Sequence, residues 1–179
     1  MTPRGVVAAA PRLGAVIVRA AQPDEMGAVG ELTVSAYAAD GFVESDSGYA
    51  KELREAAHRA EQAELLVAVD RSSHELLGTV TFCLAGSPYA EISRPGEAEF
   101  RMLAVPPDAR GKGVGHTLVR WCIDRARESG CTALLLSSLD RMHTAHRLYQ
   151  RMGFVRTPER DWSPEPGITL LAYELDLIP

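Results

Sequence analysis

Residues Glu97–Gly115 read EAEFRMLAVPPDARGKGVG and continue through His116–Gly130 as HTLVRWCIDRARESG. Glu99 to Val105 mixes apolar and β-branched residues over a strand's length, and Pro106-Pro107 stops the strand because proline cannot donate to a sheet ladder. A turn containing Asp108 follows. Gly111, Gly113 and Gly115 then alternate with Arg110, Lys112 and Val114, so the backbone brings several N–H groups toward a ligand without Cβ obstruction. Val114, Leu118, Val119, Cys122, Ile123 and Ala126 form the apolar stripe of the helix that comes next. Arg120, Asp124, Arg127 and Glu128 lie opposite, and Gly130 supplies the stop. A glycine-rich turn opening a helix is an anion site, since unsatisfied N–H groups and the positive end of the macrodipole point the same way.

The spacing narrows the anion. It is neither the G-x-G-x-x-G of dinucleotide folds nor the G-x-x-x-x-G-K-[ST] of the P-loop. What stands at Arg110–Gly115 is R-x-x-G-x-G behind a strand ending Leu103-Ala104-Val105, and this resembles the acyl-CoA motif of the GNAT superfamily of N-acetyltransferases. The resemblance implies that main-chain groups of Leu103, Ala104 and Val105 hold the pantetheine arm. It implies equally that Arg110, Gly111, Lys112, Gly113, Val114 and Gly115, with Thr117, hold the phosphates. An ordinary glycine-rich turn with solvated basic residues is the plain alternative.

A second stretch, Met142–Phe154, reads MHTAHRLYQRMGF and resembles the family's N-x-x-A-x-x-L-Y-x-x-x-G-F signature. Ala145, Leu148, Tyr149, Gly153 and Phe154 match, whereas Met142 stands where asparagine is usual. Cofactor orientation near Met142 and Ala145 then rests more on main chain. Attack of an amine on a thioester needs a base, because an alkyl ammonium with a pKa of roughly 10.4 is mostly protonated at neutral pH. The departing thiolate is helped by a proton donor. The resemblance assigns the donor to Tyr149, although a tyrosine beside Ala145, Leu148 and Met152 also suits a core. It assigns the base to Glu99, four residues before Leu103. Glu97, His74 and His143 are weaker candidates, each explained by a surface charge or a turn.

The 179 residues suit one domain with a sizeable core, and 46% hydrophobic with 24% charged residues is ordinary for a globular protein. With 19 basic and 24 acidic residues the net charge is −5, which argues against a general nucleic-acid binder. No apolar run reaches the roughly 20 residues of a membrane helix. Cys83, Cys122 and Cys131 lack C-x-x-C spacing and read as buried reduced thiols, and no metal is expected. Residues 1–14 are expected to form a flexible extension, residues 15–179 one domain, and the compartment is expected to be the cytoplasm.

Ala15–Ala20 is the first expected strand, a helix starts at Pro23-Asp24-Glu25, and a second helix is expected from Tyr49 to Gln62. Glu64–Asp70 and Glu75–Leu84 make a hairpin around Arg71-Ser72-Ser73-His74. Thr132–Ser138 suits a buried central strand, a short helix covers Met142–Arg151, a strand opens at Phe154-Val155, and Ile168–Leu177 closes the chain. The order β-α-α-β-β-β-α-β-α-β-β agrees with the GNAT fold: an α/β, mostly antiparallel twisted sheet with one splayed parallel pair and helices on both faces. The implied function is acetyl transfer from acetyl-CoA to a primary amine, small molecule or peptide, with no nucleic acid or membrane partner and with a homodimer left open. Asp40, Glu44, Asp46, Tyr89 and Glu91 fall on loops at the expected amine entrance, where carboxylates would favour a cationic acceptor. Asp161-Trp162 would wall the site or cap the sheet. A non-catalytic acyl-CoA sensor is the rival reading, and an unrelated nucleotide-binding protein a more distant one.

Overall fold

In the computed structural model, which describes residues 16–178, seven strands form one sheet in the order β1-β2-β3-β4-β5-β7-β6. The expected extension over residues 1–14 lies outside the described residues. The strands are β1 (Val16–Ala20), β2 (Glu64–Asp70), β3 (Leu76–Leu84), β4 (Glu97–Ala104), β5 (Ala133–Leu139), β6 (Val155–Arg156) and β7 (Leu170–Asp176). Every neighbouring pair is antiparallel except β4 with β5. Five α-helices among the described residues cover the sheet: α1 (Met26–Ala39), α2 (Gly48–Arg54), α3 (Ala56–Gln62), α4 (Val114–Glu128) and α5 (His143–Arg151). The chain therefore has the mixed α/β architecture expected from its sequence. No described helix is long and apolar enough to cross a membrane.

The alternation of a strand sorts its side chains between two cores. On β2, Leu66 and Ala68 join the cluster under α4 and α5, while Leu65, Val67 and Val69 join the one under α1 and α3. The run ELLVAVD is continuously apolar because the strand is covered on both sides. The whole α4 stripe, Val114, Leu118, Val119, Cys122, Ile123 and Ala126, is buried, and each of the larger aliphatic side chains contributes roughly 1.5–3 kcal/mol.

One expected helix is divided. Tyr49–Gln62 breaks at Glu55, whose ψ of 54° leaves the helical region. Arg59, with no exposed surface, turns back so that its Nη1 donates to the Glu52 and Leu53 carbonyls at the end of α2. The Glu52 carbonyl also accepts the Glu55 N–H at 3.2 Å, and the buried guanidinium is a further donor to this helix end. Helix α1 approaches closely at the same point, where a Cβ on Gly30 would collide with the Arg54 carbonyl oxygen.

Candidate active site

Strands β4 and β5 are joined only through Glu97 with Ala133, Ala98 with Leu134 and Glu99 with Leu135. Beyond that point they part. On its other edge β4 is offset against β3, where the register slips between Thr79 and Thr81, and Met102 takes a φ of 53°. Such a bulge bends its strand and ends local pairing. The gap opens a cleft of about 630 Å³ into which Leu103, Ala104 and Val105 face from the β4 side and Met142 and Ala145 from α5. Main-chain groups of β4 on its β5 side are left without a ladder partner past Glu99, as a strand offered to an extended ligand requires.

At the cleft's end the glycine turn enters α4. Gly111 and Gly113 have φ of 73° and 79°, in the left-handed region where a side chain is strained. The N–H groups of Gly111, Lys112, Gly113, Val114, Gly115 and His116 find no hydrogen-bond acceptor among the described residues. Gly115 sits close to α5, since a Cβ there would lie 3.3 Å from Leu148. Thr117 Oγ1 donates to the Gly113 carbonyl at 2.9 Å and braces the same turn. Two expected phosphate ligands are placed differently. The Arg110 guanidinium is committed to protein, donating at 2.8 Å to each Asp40 oxygen and at 3.0 Å from Nε to the Val105 carbonyl. Lys112 is exposed beside Pro106 and Asp108 rather than on the main cleft. The donors this turn leaves unpaired are backbone N–H groups.

Tyr149 is both core and cleft residue. It is 5% exposed, with Phe100, Phe154 and Tyr173 at ring-centroid distances of 5.8, 6.0 and 6.0 Å, yet it lines the cleft. Its hydroxyl has no hydrogen-bond partner among the described residues, and burial pushes its ionisation well above the ordinary tyrosine range. It is thus held as a neutral phenol. Glu99 is fully buried on β4. Its Oε2 accepts from the backbone N–H groups of Glu91, Ile92 and Ser93 at 2.9, 3.0 and 3.1 Å, while its Oε1 is buried with no partner among the described residues. His74 lies in the β2–β3 turn and His143 at the start of α5, and neither lines the cleft.

A profile of the acetyltransferase (GNAT) family matches residues 31–154, more than half of the chain. The chain belongs to the GNAT family. An uncharacterized N-acetyltransferase of Schizosaccharomyces pombe is 31% identical over 62% of this chain and 64% of its own length, so the chain spans less than two thirds of that relative. Among solved structures, a GNAT acetyltransferase of Staphylococcus aureus superimposes with a TM-score of 0.70 at 14% identity, covering 92% of this chain and all of that one. A Salmonella typhimurium acetyltransferase known with acetyl-CoA superimposes with a TM-score of 0.62 at 22% identity, covering 92% and 95%. The likeness to these structures is one of fold.

In this GNAT chain the face of the split opposite α4 carries residues that its motifs do not point to. Tyr37 of α1, Phe42 in the following loop, Arg101 on β4 and Arg141 after β5 all line the cleft, the last with its guanidinium 5.6 Å from the Phe42 ring centre. The acids expected at the entrance are mostly neutralised or absent from it. Asp40 is held by Arg110, Glu91 lies 3.2 Å from Arg101 Nη1, and Glu44 and Asp46 do not line the cleft. Tyr89 is buried and hydrogen-bonded to His58 at 2.7 Å. Trp162 Nε1 donates to Ser137 Oγ at 3.1 Å and so braces β5 behind the cleft. A sequence signal for Arg101 existed: its two-residue spacing from Glu99 puts both on one side of β4.

The three thiols are free, and Cys83 and Cys122 are buried. Burial pushes Cys83 up to about 12 and Cys122 higher still, so neither thiol supplies a thiolate near neutral pH.

Proposed function

We propose that this protein transfers the acetyl group of acetyl-CoA to a primary amine by direct attack. The observation that carries the proposal is the continuity of the split and the cradle: unpaired β4 main chain runs into a turn whose successive N–H groups lack acceptors. An extended thiol arm ending in a pyrophosphate needs that combination, and the fold neighbour known with acetyl-CoA supports it. Leu103, Ala104 and Val105 would hold the arm, Gly111 to Gly115 with Thr117 the phosphates, and Met142 and Ala145 the opposite wall. Bound there, acetyl-CoA supplies an activated acyl thioester.

The acceptor nitrogen enters from the side of α1 and α2, forms its bond to the acyl carbon, and loses one proton as the carbon–sulfur bond breaks. The sulfur leaves as a thiolate and takes the phenolic proton of Tyr149, which lines the cleft. Glu99 is sealed and does not line the cleft, so its Oε1, which has no protein partner among the described residues, would take the amine's proton only through an intervening group. The buried cysteines fit no acyl-enzyme step.

The test is release of coenzyme A thiol from acetyl-CoA in the presence of amines, with Tyr149→Phe in parallel. The ring contacts survive in that variant and only the proton donor is lost, so turnover should fall by about a hundredfold while acetyl-CoA still binds. Wild-type turnover by the variant would remove Tyr149 from the mechanism. Acetyl-CoA binding with no amine-dependent release would favour an acyl-CoA sensor.

A further inference from the structure

The cleft reaches through the sheet to the side of α1 and α2, and the charged groups it meets there are arginines. Arg101 is 14% exposed in its side chain. Its Nη1 donates to the Tyr89 carbonyl at 3.1 Å and lies 3.2 Å from Glu91 Oε1. No hydrogen bond from its Nε or Nη2 is found among the described residues, and Arg101 lines the cleft. Its charge is paired with Glu91, and what a nearly buried guanidinium still calls for is an acceptor for the donors that make no hydrogen bond, because leaving them unsatisfied is costly. Arg141 stands nearby with its guanidinium over Phe42 and no ion-pair or hydrogen-bond partner among the described residues. Asp40, the one acid lining the cleft, is already neutralised by Arg110.

These arginines are not the phosphate site. Arg101 lies four residues before Val105, roughly 13 Å back along the strand from it, and the glycine turn lies further on still. It faces the helices opposite α4, like its neighbour Met102, which packs with Val34, Leu53 and Cys83. That is the acceptor's side in the reading above, on which this inference rests. Glu99 precedes Arg101 by two residues on the same side of β4, roughly 7 Å away, but is sealed beneath the cleft rather than lining it.

We propose that the acceptor is an amine that also bears a carboxylate, an α-amino acid or close analogue, whose carboxylate is clamped by the vacant edge of Arg101 with Arg141 closing over it. The planar fork of Arg101 matches a carboxylate with two parallel hydrogen bonds, while Tyr37 and Phe42 leave room for an apolar side chain. The clamp fixes the amine a few bonds away, at the mouth of the split.

Coenzyme A release from acetyl-CoA is measured with all twenty protein amino acids, each beside its α-amide and its decarboxylated amine. The amide preserves size and the amine but removes the negative charge. At least one amino acid should exceed its amide and its decarboxylated amine in kcat/KM by about ten- to a hundredfold, the worth of a charge-assisted hydrogen-bond pair. Arg101→Met should collapse that ratio toward one through KM while the affinity for acetyl-CoA, read by calorimetry, stays at the wild-type value. Arg141→Ala, at an exposed loop position, should reduce the ratio in the same direction and guards against misfolding of the first variant. Amides or decarboxylated amines used as well as the amino acids overturn the carboxylate clamp alone. Binding of acetyl-CoA with no release for any of the three sets overturns the transferase reading instead.

Discussion

Glu99→Gln separates the two duties that the geometry gives to one carboxylate. Three backbone N–H groups of the Glu91–Ser93 segment converge on Oε2 at 2.9–3.1 Å. A hydrogen bond to a charged acceptor contributes about 1.5–3 kcal/mol and a neutral one about half that, so exchanging a carboxylate for an amide oxygen costs about 1 kcal/mol per bond. Three bonds give about 3 kcal/mol. The amide spares the desolvation cost of a fully buried charge, which offsets part of that loss. For a chain of this size the melting temperature should drop by up to roughly 12 °C, leaving a folded protein. Loss of a base adds a fall in kcat of about a hundredfold or more. The assay is thermal unfolding together with initial rates per folded molecule at 25 °C. A wild-type kcat with a lowered melting temperature would show that Glu99 only anchors the loop, and the proton path drawn through Oε1 would be wrong. An unchanged melting temperature would refute the hydrogen-bond reasoning itself.

Gly30→Ala should be among the worst small substitutions in the protein, since the added methyl meets the Arg54 carbonyl where the chain has just broken between α2 and α3; a loss of roughly 2–3 kcal/mol is expected in chemical denaturation. Acid should loosen the loop before β4. Glu97 receives two hydrogen bonds at 2.7 Å from Arg160, and that pairing holds its carboxyl below the usual 4.5. A depressed folded-state value means stability that is present above about pH 4.5 and lost as the pH falls through the lower folded value, so Glu97→Gln should flatten that part of the stability–pH curve. Because burial raises the Tyr149 ionisation, the proton donor should persist beyond the ordinary tyrosine value of 10, and rates measured up to that pH should show no loss attributable to it.

Much of the fold is legible in the chain. The six-residue stripe of α4 is buried as its spacing dictates, and the continuous apolar run of β5 is a central strand. The division of the second helix is not legible, because it is set by Arg59 reaching back to carbonyls of α2 and by the close pass of α1 at Gly30. The turn before α4 is half legible. Glycine spacing marks the turn, but composition cannot tell a basic side chain that meets a ligand from one that ties two elements together, as Arg110 does through Asp40. Glu99 and Tyr149 are named by motif position alone, and only three-dimensional placement distinguishes a cleft-lining phenol from a carboxylate locked into a loop.

What the sequence determined by itself is local: periodicity fixes which faces are apolar, proline and glycine fix where strands and helices stop, and alternate glycines fix a backbone able to present its N–H groups. The tertiary structure decided the rest, because the cleft is a relation between strands. Its opening depends on where β4 ceases to pair with β5 and on a bulge at Met102, a residue with no intrinsic preference for positive φ. Its charge depends on which arginines find partners across the fold, a matter of distances between residues apart in the chain: Arg110 is neutralised by Asp40, Arg101 pairs with Glu91, and Arg141 has no ion pair among the described residues.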